Sequence, residues 1–322
     1  MLTIFAIPKP FSGHIGTIQW NAIRSWTLLR PRPQIILFGN EEGTGEIARE
    51  LSLHHIPIIA CNEFGTPLLN DVLEQAYVHA QHRVLCYVNA DILLLEEFAR
   101  AVEVVSSKLS DFLIVSKRID LKVTERIEFH GDWDLPLKRK LGTEGVPGPH
   151  TAIDIFVFAG GMYRHAPPFA IGRMWFDHWF IKTARQAGVP VVDVSVTAPV
   201  VHQNHDYTHV QGGRQGIFAS EEGQRNLKYY DAGPESFTLL SATHDLTAGG
   251  RLQRVRFRQS EFRLKHFVWK KALHDTAKIR RRIGLSGLAW VKPGRGEKAG
   301  EDAGLNLTTP ARRRVPEPEE PA

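Results

Sequence analysis

Short apolar runs alternate with stretches of helical periodicity from the first residues onward. Residues 3–7 read as a strand. Ile15, Ile18, Ala22, Ile23, Trp26 and Leu29 then recur at helical spacing until Pro31 and Pro33 end the segment. The same alternation predicts strands at 35–38, 55–60, 84–88 and 112–116. Helices are predicted at 45–53, 67–82 and 96–109, the second opening on Pro67 with Leu69, Val72, Leu73 and Ala76 on one face. Strands this short and apolar, joined by helical crossovers, predict an α/β fold whose doubly wound, mostly parallel sheet is flanked by helices.

The second half is less regular. Residues 122–150 are rich in charge, glycine and proline, with a short helix predicted near 135–141, and the stretch is long enough for a functional loop. A buried strand is expected at 153–158. An amphipathic helix at 175–187 carries Phe176, Trp179, Phe180 and Ala184 at helical spacing, and one or two further strands fall within 189–201. These features place a main domain at 1–250, a basic helical C-terminal extension at 251–290 and a disordered tail at 291–322.

Charge sharpens that division. Residues 251–295 hold fourteen lysines and arginines against Glu261 and Asp275, a local +12 within a formal net charge of +5, so the rest of the chain is acidic. A basic appendage on an acidic domain suits docking to an anionic surface. Phe262, Trp269, Leu273 and Ile283 would supply an apolar stripe for peripheral contact with a membrane or for packing on the domain. No aromatic platform or nucleic-acid module accompanies the charge, which argues against nucleic acid as a partner. No run of eighteen apolar residues occurs and the first residues read as a strand, so a cytoplasmic protein is expected, at most peripheral at the inner face of the membrane. The two cysteines, Cys61 and Cys86, sit in or beside apolar runs and read as reduced core thiols.

Chemistry concentrates in Leu85-Cys86-Tyr87-Val88-Asn89-Ala90-Asp91, where an apolar strand ends in two oxygen-bearing side chains two residues apart. In extended backbone, such positions share one face, and carboxyl ends of strands are where ligands bind in doubly wound sheets. Asp91 fits either a ligand for an ion or the cap of a following helix. Beyond it, His202, His205, Asp206 and His209 form a late cluster. Phe158-Ala159-Gly160-Gly161 places two glycines after a strand, where a ligand or a plain turn needs close backbone approach.

Asn89-Ala90-Asp91 resembles the D-x-D signature of GT-A-fold glycosyltransferases, with Asn at the first position. Ala6-Ile7-Pro8-Lys9-Pro10-Phe11, Asn21-Ala22-Ile23-Arg24-Ser25-Trp26, Leu37-Phe38-Gly39-Asn40-Glu41-Glu42-Gly43-Thr44, Asn62-Glu63-Phe64-Gly65-Thr66-Pro67-Leu68 and His202-Gln203-Asn204-His205-Asp206-Tyr207 extend the resemblance to a bacterial and plant glycosyltransferase-like group over roughly residues 1–250. The resemblance implies a GT-A-type fold. It further implies a metal-dependent transfer of a sugar from a UDP- or GDP-linked donor to an acceptor hydroxyl on a glycan or lipid-linked acceptor, in glycan or surface polysaccharide synthesis.

By the same resemblance, Asp91 is a metal ligand and His202 a second one, with His205 competing for that role or contacting substrate. Asn89 then touches the ribose or a metal-bound water. A mixed oxygen and imidazole site suits Mn²⁺, and Mg²⁺ is the alternative. Gly172-Arg173-Met174-Trp175-Phe176-Asp177 matches the acidic motif beneath the acceptor, which makes Asp177 the general base; an acid in a first helical turn also has a purely structural rationale. Pro8, Lys9 and Phe11 would border the nucleotide. Arg118, Asp120, Asp154, Gly160, Gly161 and Arg173 would contact phosphate, sugar or acceptor. Two other functions share this architecture: non-catalytic nucleotide-sugar binding, and sugar-1-phosphate nucleotidyl transfer, which requires a glycine-rich basic loop that residues 8–16 lack. Residues 39–45 lack the G-x-G-x-x-G spacing of a dinucleotide-binding dehydrogenase.

Overall fold

The computed structural model describes residues 1–205, 220–231 and 236–255. Its core is a nine-stranded sheet in the order β3-β2-β1-β4-β9-β6-β10-β12-β13, built from β1 (Leu2–Ala6), β2 (Gln34–Phe38), β3 (His54–Ile56), β4 (Val84–Val88), β6 (Leu113–Val115), β9 (Ile155–Ala159), β10 (Val191–Asp193), β12 (His244–Leu246) and β13 (Leu252–Arg254). Seven of these strands run in one direction. Only β9 and β13 run against them, so the α/β architecture with a mostly parallel sheet is the one the apolar pattern predicts. Helices α1 (Gly13–Thr27), α2 (Thr44–Glu50), α3 (Leu69–His79), α4 (Glu96–Lys108), α5 (Asp134–Glu144), α6 (Phe176–Gln186) and α7 (Glu221–Tyr230) join the strands.

The central strands are buried along their whole length because they are covered on both faces. One face packs on Ala22, Ile23 and Trp26 of α1 and on Phe98, Ala101 and Val105 of α4. The other packs on Leu69, Val72 and Leu73 of α3 and on an aromatic group around Phe180. There Phe180 stacks on Phe156, with ring centroids 4.5 Å apart, and meets Tyr163 edge-on at 4.6 Å. Such pairs add roughly 0.5–1.5 kcal/mol each beyond the area they bury.

A smaller sheet stands beside the main one in the order β5-β11-β7-β8, formed by Ile92–Leu93 (β5), Val200–Gln203 (β11), Arg118–Leu121 (β7) and Val146–Pro147 (β8). The strand expected before His202 is present as β11, whereas β7 and β8, short and of mixed polarity, give no apolar run and so leave no sequence signal. Their effect is large: β11 pairs in parallel with β7, setting His202 beside Asp120, and antiparallel with β5, the strand that follows Asp91.

Cys86 is buried, but Cys61 is exposed, at an isolated bridge to Pro67, and is not the core thiol its apolar neighbours suggest. The main sheet continues through Arg254. The rest of the basic extension expected at 251–290 lies outside the described residues, as do the tail at 291–322, Asp206 and His209. Among the described residues no helix is long and apolar enough to cross a membrane.

Candidate active site

At the carboxyl ends of β1 and β4, beside the start of β7, a cleft of about 250 Å³ opens. Its lining brings together Lys9, Asn89, Asp91, Arg118, Asp154, Arg173, Asp177, His202 and His205, residues from six separate stretches of the chain. Two of the sequence-predicted positions lie elsewhere. Gly160 and Gly161 follow β9, and because β9 runs antiparallel, with Ala159 opposite Val84, they sit at the far end of the sheet. There Gly160 adopts φ 77°, and a side chain on it would strike Asp111. These glycines close a turn and do not border the cleft.

Pro8 and Phe11 also stay out of the lining. Pro8 is buried, and Phe11 packs on the core and so closely on Gly43 that a Cβ there would lie 2.7 Å from it. Lys9 does line the cleft, its backbone held at both ends by Gln19, which accepts from the Lys9 N–H at 2.6 Å and donates to its carbonyl at 2.8 Å.

One wall carries a carboxylate and two imidazoles. Asp91 Oδ2 lies 3.1 Å from His205 Nε2 and 3.6 Å from His202 Nε2, and the ligand atoms of the three residues all lie within 4.8 Å of one another. Burial alone would raise the Asp91 carboxyl. Hydrogen bonds and charge from the two histidines outweigh that effect and hold it well below the usual carboxylate range. Burial correspondingly lowers His202, and Asp91 more than restores it, leaving its pKa raised.

Behind this wall runs a polar chain. His202 Nδ1 lies 2.9 Å from Asp120 Oδ1, which lies 2.9 Å from Arg118 Nε. Arg118 Nη1 reaches Asp154 Oδ2 at 3.0 Å, and Asn89 Nδ2 donates to Asp154 Oδ1 at 2.8 Å. A carboxylate on the far nitrogen of a histidine is the arrangement that fixes the ring's orientation and raises its basicity toward a metal. Asp120, Arg118 and Asp154 thus brace one another, and Asn89 spends its amide on Asp154.

The second wall is the start of α6. Asp177 sits in its first turn, after Trp175 at φ 88° and with Gly172 at φ 78°. A bulky residue at positive φ costs of order 1–3 kcal/mol and persists only where its surroundings dictate it. Helix α7 does so: the buried Asn226 donates to the carbonyls of Ala170 and Met174, both at 3.0 Å, while Glu222 accepts from Arg173 Nε at 2.8 Å and Trp175 stacks on Tyr230.

Burial pushes the Asp177 carboxyl upward; the charge of His178 and backbone N–H groups oppose this, and Asp154 adds to it. Burial likewise pushes the Tyr87 phenol up, aided by the charges of Asp154, Asp91 and Asp177, which marks how closely these carboxylates converge on one cleft. Among the described residues, Asp91 Oδ1 and Asp177 Oδ1 are buried with no hydrogen-bond partner, one on each wall. Such atoms call for a partner beyond the described residues.

The chain matches no family model and no curated protein sequence. Solved structures do resemble it. TarS of S. aureus in complex with UDP-GlcNAc aligns over 73% of this chain and 68% of its own, with 10% identity and a TM-score of 0.48. Glucosyl-3-phosphoglycerate synthase from Mycobacterium tuberculosis, in complex with Mn²⁺, UDP and phosphoglyceric acid, aligns over 73% and 80% with 12% identity and a TM-score of 0.43. The mannosyltransferase PcManGT from Pyrobaculum calidifontis, in complex with GDP-Man and Mn²⁺, aligns over 63% of this chain and 56% of its own, with 12% identity and a TM-score of 0.39.

Sequence reading missed Tyr87 as a wall of the cleft and all of α7. The buried face of α7 is Glu222, Gly223, Asn226 and Tyr230, a helical stripe made largely of polar residues, so a search for apolar periodicity does not register it. Polar residues at i and i+4 in an otherwise charged helix are the available signal.

Proposed function

We propose that this chain is a metal-dependent glycosyltransferase that takes a sugar from a nucleoside diphosphate donor and delivers it to an acceptor hydroxyl. The observation that carries this reading is the pairing, in one cleft, of an Asp91, His202 and His205 cluster with a separate carboxylate, Asp177, whose proton affinity is raised.

The cluster fits a divalent cation. Asp91 keeps one oxygen without a partner among the described residues, and the donor set of one carboxylate and two imidazoles suits Mn²⁺ better than Mg²⁺, which favours oxygen and retained water. A bound cation would neutralise the diphosphate as a leaving group. In direct displacement the acceptor oxygen bonds to the anomeric carbon, the bond from that carbon to the phosphate oxygen breaks with its electron pair going to the diphosphate, and Asp177 receives the acceptor's proton. A raised carboxyl is the stronger base for that transfer. Lys9, Arg118 and Arg173 line the cleft, Arg118 engaged by Asp120 and Asp154 and Arg173 by Glu222.

The proteins of similar structure hold UDP- or GDP-linked compounds, so those two nucleotides are the probes of choice. Calorimetric titration with UDP and with GDP, with and without Mn²⁺, is expected to show metal-dependent binding of one of them and its loss in Asp91→Ala. Absence of binding to either nucleotide with any divalent cation would overturn the assignment.

A further inference from the structure

Between the two walls of the cleft stands Tyr87, a residue the proposed chemistry does not use. It lies on β4 two residues before Asn89, so the two side chains share one face of the strand. Its partner on β9 is Phe156, and the next pair along, Val88 with Ile155, leads directly to Asp154. The charges of Asp154, Asp91 and Asp177 all act on its phenol, which sets the hydroxyl among carboxylates from both walls.

Packing accounts for the ring and not for the hydroxyl. Tyr87 is 2% exposed and meets Phe5 and Phe176 edge-on, with ring centroids 5.7 and 5.9 Å apart, while Phe180 stacks on it at 6.3 Å. A phenylalanine would fill this aromatic enclosure without carrying a polar atom into it. A buried tyrosine hydroxyl ordinarily finds a partner, yet among the described residues none hydrogen-bonds that of Tyr87. Because the residue lines the cleft, a ligand there can supply one.

Several other donors of the lining are committed. Asn89 Nδ2 donates to Asp154, Arg118 to Asp120 and Asp154, Arg173 to Glu222, and the Gln19 amide to the Lys9 carbonyl. An ionised carboxylate only accepts. A sugar oxygen held between the walls therefore meets acceptors in the carboxylates and a donor in Tyr87. In the proposed displacement the anomeric carbon lies between a diphosphate on the wall of Asp91, His202 and His205, the metal wall, and an acceptor oxygen at Asp177, which puts the transferred ring beside the phenol.

We infer that Tyr87 is a specificity-determining residue that donates a hydrogen bond to an oxygen of the transferred sugar. The inference rests on the transferase reading for which ligand fills the cleft, and the phenol has a readout of its own. A site built to bond a substrate hydroxyl discriminates against a ligand that lacks it.

Tyr87→Phe removes the hydroxyl and keeps the ring. With Mn²⁺ present, UDP-glucose, UDP-galactose, UDP-N-acetylglucosamine and GDP-mannose are titrated into the full chain beside bare UDP and GDP. The variant is expected to bind one sugar nucleotide about tenfold more weakly than the wild type does, with its affinity for the matching bare diphosphate unchanged. The same sugar nucleotide, and not the bare diphosphate, is expected to give a red-shifted tyrosine band in the near-ultraviolet difference spectrum of the wild type, absent from Tyr87→Phe.

Equal affinity of wild type and variant for every sugar nucleotide, or a loss shared by the bare diphosphate, would overturn the inference and leave the transferase reading standing. If the wild type takes up neither UDP nor GDP, the transferase reading falls, and the methyl glycosides of the same four sugars decide the phenol by itself. A tyrosine band that Tyr87→Phe lacks would then uphold it as a donor to sugar, and no band would refute it.

Discussion

The two walls of the cleft hold carboxylates at similar depth with opposite character. On the wall of Asp91, His202 and His205, burial would raise Asp91, yet the two histidines outweigh it and hold the carboxyl well below the usual carboxylate range. On the helix wall, burial raises Asp177, and His178, 3.8 Å away, together with backbone N–H groups does not cancel the effect. Partners, and not depth, set the difference: two imidazoles against one that is barely in range. Where one cleft pushes two acids apart in this way, one stays charged and the other binds its proton more readily, the contrast on which the proposed roles of Asp91 and Asp177 rest.

The largest effect expected from breaking that comparison is at Asp177. Asp177→Asn keeps the shape and removes the base, so transfer is expected to slow about 10²–10⁴-fold while Mn²⁺-dependent nucleotide binding is retained. Stability moves the other way. A carboxyl whose folded pKa lies above its ordinary 3.8 contributes stability fully below that value and loses it as pH rises through the folded pKa, so at neutral pH ionised Asp177 is a cost. Thermal melts are therefore expected to show Asp177→Asn above the wild type at pH 7, with the gap closing toward pH 4. A variant that loses both activity and melting temperature would make Asp177 a structural helix-start residue.

The metal wall is sharpened by a smaller change. Asp120 touches no ligand position itself; it holds the far nitrogen of His202 at 2.9 Å. Asp120→Asn should weaken Mn²⁺ about ten- to hundredfold, read by calorimetry or by the Mn²⁺ resonance signal, with Asp177→Asn as the unchanged control. Equal affinity in both variants would detach Asp120 from the metal wall.

The wall of Asp91, His202 and His205 was largely legible in the sequence and the helix wall only in part. Asn89 and Asp91 end an apolar strand, and a strand end predicts where side chains point even when it does not predict what they bind. His202 and His205 sit within four residues, a density that attracts notice. The brace behind them did not show, because Asp120 and His202 meet only through the pairing of β11 with β7, a strand too short and too polar to form an apolar signal. Gly160 and Gly161 were misplaced for a related reason: apolar runs report burial but not strand direction, and reversing β9 carries its end to the other side of the molecule. Asp177 was visible as an acid at a helix start. What holds it there, Glu222 and Asn226, was not, since α7 docks through polar atoms.

That docking supplies the mildest test of the helix wall. Glu222 is 8% exposed and Arg173 28%, so Glu222→Gln leaves a cation that keeps some solvent. The expected loss is about 2 kcal/mol, less than the roughly 3–5 of a fully enclosed pair, or a fall in melting temperature of roughly 4–8 °C. Burial would raise the Glu222 carboxyl, but Thr66, Asn62 and Arg173 together hold it below its ordinary 4.5. A lowered folded pKa contributes stability above the ordinary value and loses it as pH falls through the folded one. The wild type should therefore exceed Glu222→Gln at pH 7, with the gap narrowing below about pH 4.5. Turnover is expected to drop only several-fold, because Asn226 still pins the Ala170 and Met174 carbonyls and Asp177 keeps its place. A drop as deep as that of Asp177→Asn would instead place the Arg173 and Glu222 pair in the chemistry and make the two walls equal partners in it.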